Sequence, residues 1–297
     1  MKRLLIITGP TASGKTKLGV RLAQMFNGEL ISADSRQVYK LMDIGTGKDL
    51  PLPVPIWGLD LVKPDQEFSV ADWFKVAQKK IFELWKKDKL PIIVGGTGFY
   101  LKALINGFDS LGVEPDYKLR RRLEKMSLGE LQEKLSQVYS QRYEEMNQSD
   151  KNNPRRLIRA IEVVQTLKKK SGFKSIKADK LLLIGLKAQK KYLYQKIDQR
   201  VEKRIRAGSE KEVKGLLKKG YGWDLKAMTA TGYKEWREYF KGEEDLKEVI
   251  QRWQFDEHNY LRRQLTFLKK MKLIKWFSIQ KGGFEKQIVK LVKSWYD

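Results

Sequence analysis

The run Gly9-Pro10-Thr11-Ala12-Ser13-Gly14-Lys15-Thr16 carries the plainest chemistry in this 297-residue chain. It stands between a short apolar run, Leu4 to Ile7, and an amphipathic stretch that opens near Lys17, so it reads as the loop of a strand–loop–helix unit. Glycines let such a backbone curl until its N–H groups converge on an anion at the helix N-terminus. Lys15 adds a point charge, and the hydroxyl of Thr16 stands where a phosphate-bound Mg²⁺ would be held. The chain is expected to bind a polyphosphate. A loop of this form occurs in ATP-binding and other nucleotide-binding proteins, so it leaves open which polyphosphate is bound and what attacks it.

Three further clusters have residue types suited to a reaction. Asp34-Ser35-Arg36-Gln37-Val38-Tyr39 follows a second apolar strand, Glu29–Ser32, and polar residues at that end of a strand beside a phosphate loop are placed to touch substrate. Asp34 reads equally as a general base and as the N-cap of a helix whose first turn is Ser35 to Tyr39. Gly95-Gly96-Thr97-Gly98-Phe99-Tyr100 follows a buried strand, Pro91–Val94, and opens a helix on the same sheet edge; its glycines permit close backbone approach and Thr97 offers a hydroxyl. In Arg155-Arg156-Leu157-Ile158-Arg159-Ala160-Ile161-Glu162, Arg155 and Arg159 share a helix face while Leu157, Ile158 and Ile161 can face a core. Paired arginines suit phosphate; the plainer reading is a solvated basic face bridged to Glu162.

The elements that must position these clusters alternate strand and helix through residue 105, with helices expected over Lys15–Phe26, Val70–Trp85 and from Gly98, and a further short strand near Trp57–Leu61. That alternation means a parallel sheet with its ligand edge at the strand carboxyl ends. The fold class expected is α/β: a P-loop-type parallel sheet flanked by helices, with additional mostly helical regions. Residues 1–113 form the first part of the core and 114–152 a charged helical insertion. Residues 153–207 return to the core, with a helix from Pro154 through Lys170, a strand at Lys180–Leu186 and a helix at Tyr192–Arg206. Residues 208–297 are a mostly helical C-terminal region, including Glu210–Lys219, a long helix from Asp245 to about Met271, and a last short strand at Leu273–Phe277.

Charge narrows the partner. Lys and Arg total 61 against 36 acids, a net of +25, and the excess is uneven: residues 1–113 hold 16 basic and 11 acidic residues, the remainder 45 and 25. A small anion needs one pocket, whereas a surplus spread over many helical turns suits a polyanion bound through phosphate contacts. With no cysteine there is neither disulfide nor thiolate metal site, which suits a reducing compartment. No apolar run is long enough to span a bilayer, and Met1-Lys2-Arg3 leads into a strand rather than a leader, so a cytoplasmic protein without membrane contact is expected. His258, the sole histidine, is assigned a surface role rather than a catalytic one; Trp73, Trp85, Trp253 and Trp276 are expected in the core; the lysine-rich stretches 168–170 and 217–219 read as solvated faces.

Taken together the motifs resemble the tRNA dimethylallyltransferases, or tRNA isopentenyltransferases. The resemblance spans most of the chain and rests on GPTASGKT (9–16), SADSRQVYKLMDIGTGK (32–48), FSVADW (68–73), VGGTGFYLKAL (94–104), NPRRLIRAIEV (153–163), TGYKEW (231–236) and RRQLTF (262–267) in that order. It implies transfer of a dimethylallyl group from its diphosphate to N6 of the adenosine 3′ to the anticodon in tRNA, with the phosphate loop gripping the allylic diphosphate and Mg²⁺ as cofactor. By the same resemblance Asp34 accepts the N6 proton, Thr97 lines the reaction channel, and Arg200 lies near the diphosphate. Asp34, Ser35, Arg36, Gln37, Thr97, Arg120, Arg155, Arg156, Leu157, Ile158 and Arg159 correspond to positions that contact the anticodon arm of tRNA; a monomer is expected. Two stretches depart from the family pattern. Ile56-Trp57-Gly58-Leu59-Asp60 keeps only the aspartate of a His-His-Leu-Ile-Asp segment. Glu257-His258-Asn259-Tyr260-Leu261-Arg262-Arg263-Gln264 replaces a Thr-Arg-Gln-Tyr-Ala-Lys-Arg-Gln run. Both are expected to alter peripheral tRNA contacts. The rival readings are a P-loop small-molecule or nucleotide kinase, which does not need the basic surplus, and a non-catalytic RNA-binding protein with a relic phosphate loop.

Overall fold

Six strands form one all-parallel sheet in the order β3-β2-β4-β1-β5-β6: β1 Arg3–Thr8, β2 Gly28–Ser32, β3 Ile56–Trp57, β4 Leu90–Gly95, β5 Lys180–Lys187 and β6 Lys275–Ser278. The computed structural model describes residues 1–48, 50–107, 113, 116–166 and 175–297. By contacts the chain divides into Met1–Lys102 with Lys177–Asp297, which holds the sheet, and a helical unit, Ala103–Ile176. The central strands are buried on both faces, which is why β1 and β4 read as continuous apolar runs rather than alternating ones. Register sets Thr8 beside both Gly95 and Gly185, and Ser32 beside Val94. The loops after β1, β2 and β4 therefore leave the sheet side by side. β3 is shorter than the expected strand and ends at Trp57, because Gly58 and Asp60 both take positive φ and turn the chain.

Helices cover the sheet in the sheet-bearing unit. α1 (Lys15–Met25) packs Leu18 and Leu22 on β1, β2 and β4. α2 (Val70–Lys86) opens with a capping box between Ser69 and Asp72, and buries Trp73, Phe74, Ala77, Ile81 and Leu84 at helical spacing. Trp73 donates its indole N–H to the carbonyl of Ser32 at 2.8 Å and stacks on Tyr100, which bolts the end of β2 in place. α3 is Gly98–Asn106. The C-terminal part holds α9 (Lys190–Arg206), α10 (Ser209–Lys218), α11 (Arg237–Lys241), the 23-residue α12 (Leu246–Leu268) and α13 (Phe284–Tyr296). Trp73 and Trp253 are fully buried as expected, while Trp85 and Trp276 are half-buried. Lys218 and Lys219 are exposed. Among the described residues no helix is long and apolar enough to cross a membrane.

The helical unit contains α4 (Tyr117–Leu123), α5 (Leu128–Val138), α6 (Ser140–Glu145), α7 (Gln148–Lys151) and α8 (Pro154–Thr166). Its core joins Leu119, Leu123, Leu131 and Leu135 to Leu157, Ile158 and Ile161 of α8. This corrects the expected division at residue 153: α8 belongs with the helices, and the return to the sheet-bearing unit begins at Lys177. The expected helix end at Lys170 and the lysine run 168–170 lie outside the described residues. At the centre of the unit the carboxylate of Glu162, fully buried, accepts from Arg120 Nε and Nη2 at 2.9 Å each, from Arg159, and from the backbone N–H of Asp116 at 2.6 Å. Burial alone would raise its pKa, but the two guanidinium groups and the N–H bond outweigh it and hold the carboxyl below the usual range.

Glu162→Gln leaves two guanidinium groups without their counter-charge, and is expected to cost about 2 kcal/mol, less than for a fully buried pair because both arginines keep some solvent contact. A carboxyl with a lowered folded-state pKa stabilises above its ordinary pKa and loses that contribution as the medium is acidified through the folded value. The difference in melting temperature between wild type and Glu162→Gln should thus be full at neutral pH and shrink below about pH 4.5. A difference that stays constant into acid would contradict the ion-pair account.

Candidate active site

The phosphate loop is built by backbone conformations that few residues tolerate. Gly9 and Gly14 take φ of 149° and 81°. A Cβ on Gly9 would also stand 2.5 Å from the carbonyl oxygen of Leu186 on β5, so only glycine lets the loop lie against the sheet. Ala12 takes φ of 61°, a left-handed conformation that costs an alanine about 1 kcal/mol or more and that the surrounding contacts must hold. Lys15 donates from Nζ to the carbonyl of Pro10 at 2.7 Å. Burial, and next the nearby charge of Arg200, pull its ammonium pKa down to about 8, against the opposing pull of Asp34 and Glu257. Ser13 is buried and its hydroxyl has no partner. A partnerless buried hydroxyl in a ring of backbone donors at a helix start is what a bound anion would satisfy.

The far side of the loop is made by α12, and sequence reading did not anticipate this. Buried positions along α12 run Val249, Trp253, Glu257, Leu261, Gln264 and Leu268. Two of the six are polar, and both reach the phosphate loop. Gln264 accepts from the backbone N–H of Thr11 at 2.7 Å and donates from Nε2 to the carbonyl of Gly96 at 3.1 Å, joining two loops. Glu257 accepts from Arg204 at 3.2 Å and from Arg200 at 3.1 Å, and lies 3.5 Å from the Thr11 hydroxyl, to which Arg200 also donates. The expectation that changes in the Glu257–Gln264 run affect only peripheral contacts is therefore wrong. Distance in sequence misled, and the signal available was the pair of polar residues in an otherwise apolar stripe. Arg200 lies beside the Gly9–Thr16 loop, donating to the Thr11 hydroxyl. His258 is half-buried, stacks on Tyr194 and pairs with Asp198 at 2.8 Å on α9.

The glycines after β4 serve packing. A Cβ on Gly95 would stand 2.2 Å from the carbonyl of Ala33, one on Gly96 2.0 Å from Nε2 of Gln264, and one on Gly98 2.2 Å from the ring of Phe267. The hydroxyl of Thr97 accepts from the N–H of Ser35 at 3.2 Å and meets Tyr260 of α12. Burial, then the charge of Asp34, raises the pKa of the Tyr260 phenol. Asp34 accepts the backbone N–H of Arg36 on Oδ1 at 2.8 Å, and residues 34–39 form turns rather than a helix. The N-cap reading of Asp34 is thereby excluded. Thr97 bonds the N–H of Ser35, next to Asp34, and Gln264 ties the neighbouring Gly96 to Thr11, so Asp34 and the Gly9–Thr16 loop stand at one sheet edge.

The segment after Asp34 is held from within. The Gln37 amide accepts from Ser32 at 3.0 Å and donates to the carbonyl of Gly47 at 3.0 Å, so its polar atoms are engaged in the loop. Arg36 donates to the carbonyl of Lys226 at 2.9 Å. Lys48, almost fully buried, bonds Asp60 at 2.5 Å and the carbonyl of Tyr39 at 2.7 Å, which explains why an aspartate is kept at 60. Glu212 of α10 accepts three successive backbone N–H groups, of Asp43, Ile44 and Gly45, and the hydroxyl of Tyr233 at 2.6 Å.

In the helical unit, Arg155 is exposed, Arg156 pairs with Asp150, and Arg120 and Arg159 converge on Glu162 rather than forming an open arginine pair. Leu157 and Ile158 are core residues, so the expected tRNA contact fails for these two side chains. A hollow of about 450 Å³ at the carboxyl ends of β5 and β6, lined by Lys187, Gln189, Ser278 and Gln280, includes none of the site residues.

Comparison with known proteins agrees with this arrangement. The model of the IPP transferase family matches residues 37–271. A tRNA dimethylallyltransferase of Thermoanaerobacter sp. (strain X514) is 40% identical over 292 residues, 93% of this chain and 92% of the relative. The solved tRNA isopentenylpyrophosphate transferase of Bacillus halodurans is 33% identical, with a TM-score of 0.73 over 99% of this chain and 96% of that one. A eukaryotic dimethylallyltransferase acting on tRNA, 24% identical with a TM-score of 0.82 over 99% of this chain and 79% of that one, shares the fold. The family model matched over residues 37–271 and a relative 40% identical over 93% of the chain show that this protein is a member of the IPP transferase family.

Proposed function

We propose that this protein transfers a dimethylallyl group from dimethylallyl diphosphate to N6 of the adenosine 3′ to the anticodon in tRNA, releasing diphosphate. The observation that carries the reading is that the loop bearing Lys15 and the segment bearing Asp34 are joined at one sheet edge, through Gln264 between Thr11 and Gly96 and through Thr97 to the N–H of Ser35. Lys15, Arg200, the Thr11 and Ser13 hydroxyls and the N–H groups at the start of α1 hold the diphosphate and stabilise the charge it gains on leaving. Adenine N6 is a weak nucleophile, since its lone pair is delocalised into the ring. It must leave its stack, at a cost of a few kcal/mol, and be aimed at the allylic carbon. As the N6–carbon bond forms and the carbon–oxygen bond to diphosphate breaks, Asp34 takes the N6 proton. The N–H of Arg36 fixes the Asp34 carboxylate, and Thr97, held by Ser35 and Tyr260, fixes the adjoining wall.

Mg²⁺ fits the donor set here. Among the described residues no three acidic or imidazole side chains gather, and Mg²⁺ bound through substrate phosphates needs only one or two protein oxygens, for which the Thr16 hydroxyl would serve. When bound it would neutralise charge on the diphosphate. We assign Ser35, Arg36, Arg155 and Arg156 to the tRNA surface, with the anticodon arm as partner, a monomer as the working form and the cytoplasm as its place.

The deciding experiment offers labelled dimethylallyl diphosphate with tRNA, and γ-labelled ATP with small acceptors. Label should appear in tRNA; label from ATP in an acceptor would favour a kinase, and none in either an RNA-binding protein. Asp34→Ala is expected to lower kcat by roughly 10²–10⁴-fold with a much smaller loss of tRNA affinity, measured by filter binding. Full turnover in that variant would remove Asp34 as the base. tRNA affinity should fall steeply with added salt, and a flat response would count against the basic surface. A Lys15 amine with a pKa near 8 is neutral above that value and regains a proton when the diphosphate arrives. Pyrophosphate affinity, followed by calorimetry, should therefore weaken as pH rises through about 8, and Lys15→Ala should lose most of the affinity and flatten this limb.

A further inference from the structure

Glu257 stands where the related run has threonine, and it brings a carboxylate against the phosphate loop. Its side chain is 7% exposed and lies between Arg204, 11% exposed, and Arg200, 29% exposed. One oxygen receives Arg204 at 3.2 Å. The other receives Arg200 Nη2 at 3.1 Å and lies 3.5 Å from the Thr11 hydroxyl. These are bonds that an oxygen of a bound diphosphate would also make, since carboxylate and phosphate oxygens accept from guanidinium and hydroxyl groups in the same way. Arg200 Nε is meanwhile buried without a partner, so this guanidinium is divided between an internal carboxylate and a donor still unused. The negative charge of Glu257 also acts on Lys15.

We infer that Glu257 is a built-in competitor for Arg200 and Thr11 that weakens the hold on diphosphate and so hastens product release; this rests on the reading of the loop as the diphosphate site. The competitor is permanent, because α12 fixes it in the apolar stripe between Trp253 and Leu261, and Arg204 holds its other oxygen at 3.2 Å. Each diphosphate that binds must take Arg200 and Thr11 from it, and each that leaves gives them back. Glu257 touches no reacting atom. Its effect is on the grip on the diphosphate group, on entry as well as on release.

The test uses the full chain and inorganic pyrophosphate, titrated by calorimetry near neutral pH, with product inhibition measured alongside. Glu257→Gln keeps the shape and removes the charge, and is expected to bind pyrophosphate about tenfold more tightly, to show stronger inhibition by it, and to lower kcat and KM for dimethylallyl diphosphate together. A variant damaged only in its packing would not gain affinity. The double variant Arg204→Gln/Glu257→Gln restores the local net charge and still lacks the competitor, so it should also bind more tightly than wild type. If Glu257→Gln does not fold, the double variant decides alone. Pyrophosphate affinity unchanged or weaker in Glu257→Gln would overturn the inference and make Glu257 an orienting residue for Arg200; a double variant that returns to the wild-type value would overturn it in favour of bulk charge. Wild-type protein that binds no pyrophosphate would instead defeat the proposed diphosphate site itself.

Discussion

The hydrogen bonds of Gln264 are the joint on which the site depends. One amide group accepts from Thr11 in the phosphate loop and donates to Gly96 after β4. The first loop has two glycines and one alanine at positive φ, a conformation with little local preference for itself. The second is three glycines packed against Ala33, Gln264 and Phe267 with no room for a methyl group. Neither loop has a side-chain core of its own. Their relative position is set by a helix that carries one amide in the middle of an apolar stripe, and because Gln264 is buried, leaving either bond unmade would cost about 1–3 kcal/mol.

A second constraint holds the segment from Asp34 to Lys48. Several of its polar groups turn inward: Gln37 to Ser32 and Gly47, Lys48 to Asp60 and Tyr39, and the amides of 43–45 to Glu212. Gly45 has no space for a Cβ because the ring of Tyr233 stands 2.3 Å from where it would be, and Gly47 is likewise filled by Arg204. The motifs at 32–48 and 231–236 are thus two halves of one packing unit. Arg204 serves both, reaching Gly47 on one side and Glu257 on the other. The loop that presents Asp34 and the carboxylate of Glu257 beside Thr11 are in this way mechanically connected.

Much of this was legible in the sequence, and the misses have physical causes. Strand and helix alternation through residue 105 gave the sheet and its ligand edge, because parallel strands buried on both faces are continuous apolar runs bounded by turn residues. The Gly9–Thr16 loop, Asp34 and Thr97 stand out because each follows a strand end, whereas Arg200 is singled out by the family resemblance alone. Tertiary partners were not legible. Nothing local says that α12 lies over the loop, so Glu257, Tyr260 and Gln264 were placed at the periphery. The arginines of α8 looked like an open pair since Glu162, one turn on, could be counted only as a neighbour; its complete burial with Arg120 shows it to be the centre of that unit. Of the two readings left open for Asp34, the helix N-cap fails because its carboxylate bonds the amide of Arg36, two residues on, and closes a turn instead.

The bond from Thr11 to Gln264 spans 253 residues of sequence. During synthesis the Gly9–Thr16 loop therefore leaves the ribosome long before the helix that braces it. Until α12 has emerged, a nascent chain can form the early strands and helices yet lacks the amide that joins this loop to Gly96.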